Sequence, residues 1–104
     1  MVSTTKSIRC SDPEIVGLWL ESQASPHTQS CYRRDYERLR AHVGKPLARI
    51  TLGDLQSFAQ FLNCSGLAPI SRARTLAAIK SLFGFCFRMR FIPVNFLALP
   101  HSNI

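Results

Sequence analysis

The sequence has few of the residue patterns that build enzyme active sites or metal centres. Cys10, Cys31, Cys64 and Cys86 are scattered, with no C-x-x-C pair and no histidine at a zinc-ligand spacing. Acidic residues number only six, and no glycine-rich phosphate-binding loop is present. These absences predict a protein without a metal, a cofactor, a small-molecule substrate or a catalytic activity of its own.

A targeting or membrane-spanning segment is also missing from the sequence. The first ten residues contain no apolar signal-peptide region. No run approaches the roughly 18 consecutive apolar residues that a membrane span requires. The sequence therefore predicts a cytoplasmic protein that keeps its thiols reduced and has no membrane partner.

Positive charge, in contrast, is abundant. The 104 residues contain 13 Lys and Arg against six Asp and Glu, which gives a formal net charge of +7. Such a balance favours polyanionic partners, nucleic acid above all, although many small basic proteins bind nothing acidic. With 46% hydrophobic residues, a chain of this length can bury one modest core, so we expect a single domain.

The apolar pattern indicates helices throughout, because no strand-like alternation of useful length occurs. Start signals stand at Asp12-Pro13, where Asp12 is expected to cap, at Ser25-Pro26, and at Thr51, which forms a capping box with Asp54. Helices are expected at about 12–23, 26–43, 51–66 and 69–90, with one further turn at 94–99. Residues 1–11 are expected to form a flexible arm and residues 100–104 a frayed tail.

The fourth helix is expected to be central, because its 22 residues would span roughly 33 Å. Its apolar face contains Leu76, Ile79, Leu82, Phe83 and Cys86. Its opposite face carries both cationic and small side chains, namely Arg74, Ala77, Ser81 and Arg88. Small side chains let a helix backbone come close to a partner surface.

The second helix has the same two-sided character. Tyr32, Tyr36, Leu39 and Val43 share a core face, while His27, Ser30, Arg34 and Ala41 lie opposite. Asp35 and Glu37 sit among arginines and are interpreted as helix-surface ion pairs. The basic face is either a solvated surface, which is the usual meaning of such a run, or a phosphate-binding surface.

Six short runs resemble a known family when they are taken in order along the chain. They are SPHT at 25–28, YRRDY at 32–36, GKPL at 44–47, ITLGDL at 50–55, GLAP at 66–69 and RTLAAIKSLF at 74–83. Together they resemble the core-binding, SAM-like N-terminal domain of tyrosine recombinases and phage integrases, over about residues 12–95. That family usually ends its fourth helix at a glycine near the position of Arg90.

The resemblance implies a compact four- to five-helix orthogonal bundle, residues 12–99, that binds double-stranded DNA for recombination and integration. The catalytic constellation of the family lies in a separate C-terminal domain, which is absent from this chain. Carried over by position, the DNA-facing residues would be His27, Thr28, Ser30, Cys31 and Arg34 in helix two and Ser71, Arg74, Ala77 and Ser81 in helix four, with Lys80 and Arg88 as further candidates.

A second interpretation is a helical protein-interaction module that acts in the assembly of a larger complex, because SAM-like helical folds also serve assembly. In recombinases these domains also touch neighbouring subunits in a synaptic complex, so the two roles are compatible. Salt distinguishes them, since phosphate binding weakens steeply with salt and an apolar protein contact does not.

Overall fold

The computed structural model describes residues 11–92, which contain four α-helices and one short 3-10 helix. They are α1 (Asp12–Glu21), α2 (Pro26–Val43), the 3-10 helix Leu47–Arg49, α3 (Leu52–Cys64) and α4 (Pro69–Arg88). No strand occurs between residues 11 and 92, so the predicted all-α class is confirmed. The expected turn at 94–99 and the tail at 100–104 lie outside the described residues, as does the arm up to residue 10.

α4 contacts α1, α2 and α3, as expected of a central helix, and α2 likewise contacts the other three helices. Ile79, Leu82, Phe83 and Cys86 on its apolar face are buried. No helix among residues 11–92 combines the length and the apolar character needed to cross a membrane.

The start of α1 differs from the prediction. Ser11, not Asp12, is the N-cap: the amide of Glu14 donates to Ser11 Oγ at 3.3 Å, and the amide of Ser11 donates to Glu14 Oε1 at 2.8 Å. A serine three residues before a glutamate forms this reciprocal pair, which Asp12 cannot. Asp12 instead accepts from the amide of Leu47 at 2.9 Å and joins α1 to the 3-10 helix.

The ends of α2 and the start of α3 agree with their local signals. Ser25 Oγ accepts from the amide of Thr28 at 3.1 Å, and Gly44 closes α2 in the left-handed conformation at φ 68°. Thr51 Oγ1 accepts from the amide of Asp54 at 3.1 Å, while Asp54 Oδ2 accepts from the amide of Thr51 at 2.9 Å. The predicted capping box is therefore confirmed.

α4 ends two residues before the predicted boundary, and its end is set by a Schellman motif rather than by Pro93. The amide of Phe91 donates to the carbonyl of Cys86 at 2.8 Å, and the amide of Arg90 donates to the carbonyl of Phe87 at 3.0 Å. Arg90 has φ 61°, the one positive φ of a non-glycine residue between residues 11 and 92. This is the place where the resembling family usually has glycine, and the left-handed conformation gives the physical reason.

The core lies between the helices and is built largely from aromatic and branched side chains. Trp19, Phe58 and Phe83 are its largest fully buried members. Trp19 stacks on Tyr32 with ring centroids 5.0 Å apart, and its Nε1 donates to Ser81 Oγ at 3.1 Å. Burial, with a smaller contribution from Asp12, raises the pKa of the Cys86 thiol to about 12, so this thiol packs as a protonated apolar group.

Candidate nucleic-acid interface

Two adjoining grooves run along the surface where the first half of α2 lies beside the first half of α4. One is lined by Cys31, Arg34, Asp35, Arg38, Leu67, Ser71, Arg74 and Thr75, and the other by His27, Thr28, Cys31, Tyr32, Asp35, Arg74 and Ala77. Cys31, Asp35 and Arg74 line both grooves, so the two form one continuous surface.

Seven of the eleven residues predicted to face DNA line these grooves. We call them the α2/α4 face: His27, Thr28, Cys31, Arg34, Ser71, Arg74 and Ala77. The helices bring these residues together from positions up to 50 apart in the sequence, which the two separate helical patterns did not require.

The other four predicted residues lie elsewhere. Ser30 and Lys80 are exposed but line neither groove. Ser81 is half-buried, and its Oγ accepts the hydrogen bond from Trp19. Arg88 lies near the end of α4, in a depression that it lines with Phe87, Arg90 and Ile92.

The two arginines of the α2/α4 face are exposed and free to meet a ligand. Within residues 11–92, neither Arg34 nor Arg74 forms a salt bridge or a side-chain hydrogen bond. Other cations are engaged by the protein itself: Arg40 lies 3.6 Å from Asp12 Oδ2, Lys45 lies 2.9 Å from Asp54 Oδ2, and Arg72 donates to the carbonyl of Leu67 at 3.0 Å. The face therefore presents two cations that no salt bridge or side-chain hydrogen bond within residues 11–92 holds, although the charge of Asp35 attracts both.

A polar network lies at the floor of the face, and the sequence patterns missed it. Asp35 Oδ1 accepts from Thr75 Oγ1 at 3.0 Å, and Arg38 Nη1 donates to Thr75 Oγ1 at 3.4 Å. Thr75 is buried four residues before Ile79 and seven before Leu82, both in the core. That spacing was the available signal, because a buried hydroxyl on a core stripe needs a polar partner.

Asp35 forms the ion pair within α2 that the sequence suggested, with Arg38 Nη1 3.8 Å from Asp35 Oδ1, and as a partly buried acid it also joins α2 to α4 through Thr75. Burial raises the pKa of Asp35 above its usual value, while the hydrogen bond from Thr75 and the charges of Arg38, Arg74 and Arg34 oppose that rise. The carboxylate therefore sits within the field of three arginines.

The beginnings of the two helices differ at this surface. The first turn of α2 is capped by Ser25, whereas the N-cap position of α4 is Ala68, which has no side-chain cap. Near the start of α2, His27 Nε2 lies 3.7 Å from Cys31 Sγ. Because Ala68 provides no side-chain cap, the first turn of α4 has backbone amides without a capping partner.

Comparison with known protein families shows to which family the chain belongs. The family model described as the phage integrase N-terminal SAM-like domain matches residues 15–89, which include parts of all four helices and the whole α2/α4 face. The match covers well over half of the sequence, and the chain belongs to this family. The family model that matches these 104 residues describes the N-terminal domain of integrases and not their catalytic domain. No solved structure matches the chain significantly.

Proposed function

We propose that the chain is the core-binding domain of a site-specific tyrosine recombinase, and that it holds double-stranded DNA against the α2/α4 face for recombination and integration. The observation that carries the proposal is the convergence of seven predicted residues on one surface of an integrase-family domain. The domain positions DNA without catalytic residues of its own, and strand cleavage belongs to the catalytic domain of the parent recombinase. A DNA-binding role agrees with the cytoplasmic location expected from the sequence.

Phosphate recognition is the chemistry that the two arginines offer. Arg34 and Arg74 project from different helices and are both exposed. A guanidinium group presents a planar fork of donors that matches two phosphate oxygens. Contacts from two helices fix the orientation of a duplex as well as its distance, and the net charge of +7 adds long-range attraction.

Small side chains, two of them with a hydroxyl group, complete the face. Ala77, Ser71 and Thr28 leave room for a sugar–phosphate backbone to approach the helices, and the two hydroxyls can donate to phosphate oxygens. The first turn of α4 adds amides without a capping side chain, together with the positive end of the helix dipole. These groups bind the DNA backbone and read no bases.

A second candidate function, contact with another protein, is favoured by a different surface. Phe61 on α3 is 44% exposed, and its ring lies 4.7 Å from that of His42 on α2. α3 has no Lys or Arg between residues 51 and 66, and an exposed aromatic side chain on such a surface suits a protein interface. Other recombinase subunits in a synaptic complex are the proposed partners there.

A salt titration tests the DNA proposal. Fluorescence anisotropy of a labelled duplex should show binding whose log affinity falls linearly with log salt, with a slope of at least about 2, since each phosphate contact contributes about 0.9. Absence of binding at 50 mM salt, or binding that salt does not change, would contradict the DNA-binding role and favour the protein-contact candidate.

A further inference from the structure

Asp35 has an unusual place for an acid in a surface that is proposed to bind phosphate. It is the one acidic residue among those that line the two grooves, and it lines both. Its side chain is 13% exposed, so it lies at the floor rather than at the rim. A negative charge at this point opposes the approach of DNA, and so it calls for a role other than ligand contact.

The contacts of Asp35 indicate that role. Arg38 donates to Thr75, and Thr75 donates to Asp35, so the three side chains form one chain of hydrogen bonds between α2 and α4. Arg38 Nη1 also lies 3.8 Å from Asp35 Oδ1. The two contacts of Arg38 hold its guanidinium group against Thr75 and Asp35, at the groove that Arg38 itself lines.

Arg38 differs in this respect from the two other arginines of the groove. Its side chain is 34% exposed and is tied to Asp35 and Thr75, whereas Arg34 and Arg74 are exposed and have no such ties within residues 11–92. The groove therefore has three arginines, of which Asp35 and Thr75 hold Arg38 by direct contact.

We propose that Asp35 is a positioning residue that, with Thr75, holds Arg38 out of phosphate contact and so limits the sequence-independent affinity of the face for DNA. The inference rests on the proposed DNA-binding function. Each cation that meets a phosphate adds affinity for any duplex, whatever its sequence. A carboxylate that holds one arginine in place therefore limits the sequence-independent part of the affinity for DNA.

The substitution Asp35→Asn removes the charge and keeps the shape of the side chain. Because the pKa of Asp35 is raised in the folded protein, its ionisation opposes folding at neutral pH, and the neutral amide should leave the domain folded. Arg38 is then free to turn toward the DNA. We expect duplex affinity to rise roughly tenfold at 0.1 M salt and the salt slope to steepen by about 1.

Two further variants separate this effect from a general change in charge. Glu37→Gln removes one negative charge from an exposed position on α2 that lines neither groove, and it should leave the slope unchanged. Arg38→Ala should not change the slope of the wild-type domain, but it should abolish the gain in the Asp35→Asn background.

A wild-type slope in a folded Asp35→Asn variant, or an equal increase in Glu37→Gln, would overturn the inference. So would a slope reduced by about 1 in Arg38→Ala alone, because Arg38 would then already touch phosphate; this arm does not depend on the folding of Asp35→Asn. If the wild-type domain shows no salt-dependent duplex binding, the proposed function fails and this inference with it, a result that the wild-type titration identifies by itself.

Discussion

The double variant Arg34→Ala with Arg74→Ala is expected to bind every duplex more weakly than the wild-type domain and to lower the salt slope by roughly 2. The two guanidinium groups lie on one continuous surface, and neither forms a salt bridge within residues 11–92. If both touch phosphate, their loss removes two counterion-releasing contacts. Between 50 and 200 mM salt, the wild-type affinity should then fall about tenfold more than that of the variant.

Stability and a second surface provide the controls for this result. Because both arginines are exposed, the free energy of unfolding should change by no more than about 0.5 kcal/mol. Gln56→Ala with Gln60→Ala, on the exposed and non-basic surface of α3, should change neither affinity nor slope. Wild-type affinity and slope in the double arginine variant would show that the α2/α4 face is not the DNA-binding surface.

If one arginine contacts a guanine edge instead of phosphate, the two single variants will differ. A good bidentate contact to a base contributes about 1–3 kcal/mol of discrimination. The loss would then appear mainly on the cognate site and much less on arbitrary duplexes. Parallel titrations of Arg34→Ala and Arg74→Ala on both kinds of duplex would assign each residue.

Trp19→Ala should produce the largest loss of stability among single core substitutions. Trp19 is 1% exposed, stacks on Tyr32 and donates to Ser81 on α4. Truncation of a buried Trp typically costs about 3–5 kcal/mol through lost transfer free energy and the cavity left behind. In a domain of this size, such a loss should lower the melting temperature by at least about 12 °C.

Leu18, the neighbouring residue on α1, supplies a matched control. Its side chain is 43% exposed, whereas Ile15 and Trp19 on the same helix are buried. Leu18→Ala should therefore change the free energy of unfolding by no more than about 0.5 kcal/mol, as measured by chemical denaturation. Similar losses in Leu18→Ala and Trp19→Ala would mean that α1 packs with a different face toward the core.

Local signals predicted the helix boundaries well wherever the partner residues are close in sequence. Thr51 with Asp54, Ser25 with its proline, and Gly44 each act within one helical turn, so the sequence determines their geometry directly. The same logic failed at Asp12, because a competing pair, Ser11 with Glu14, also lies within one turn and forms the cap.

Other features depend on tertiary packing and could not be predicted in this way. The end of α4 is a Schellman motif with Arg90 in the position that favours glycine, and the sequence has no glycine there to indicate it. Ser81 Oγ accepts a hydrogen bond from Trp19, a contact that arises only because α1 packs on α4. Asp35 and Thr75 are 40 residues apart and meet only because α2 packs on α4.

Mapping the DNA-binding surface of the wild-type domain tests the assignment of the α2/α4 face most directly. Backbone amide resonances should be followed by NMR while a short duplex is added at low salt. If DNA binds the α2/α4 face, the largest shifts will fall at residues 27–34 and 71–77, with small shifts across α3 at 52–64. Shifts concentrated on α3, or no shift at 27–34 and 71–77 while the duplex is bound, would contradict that assignment.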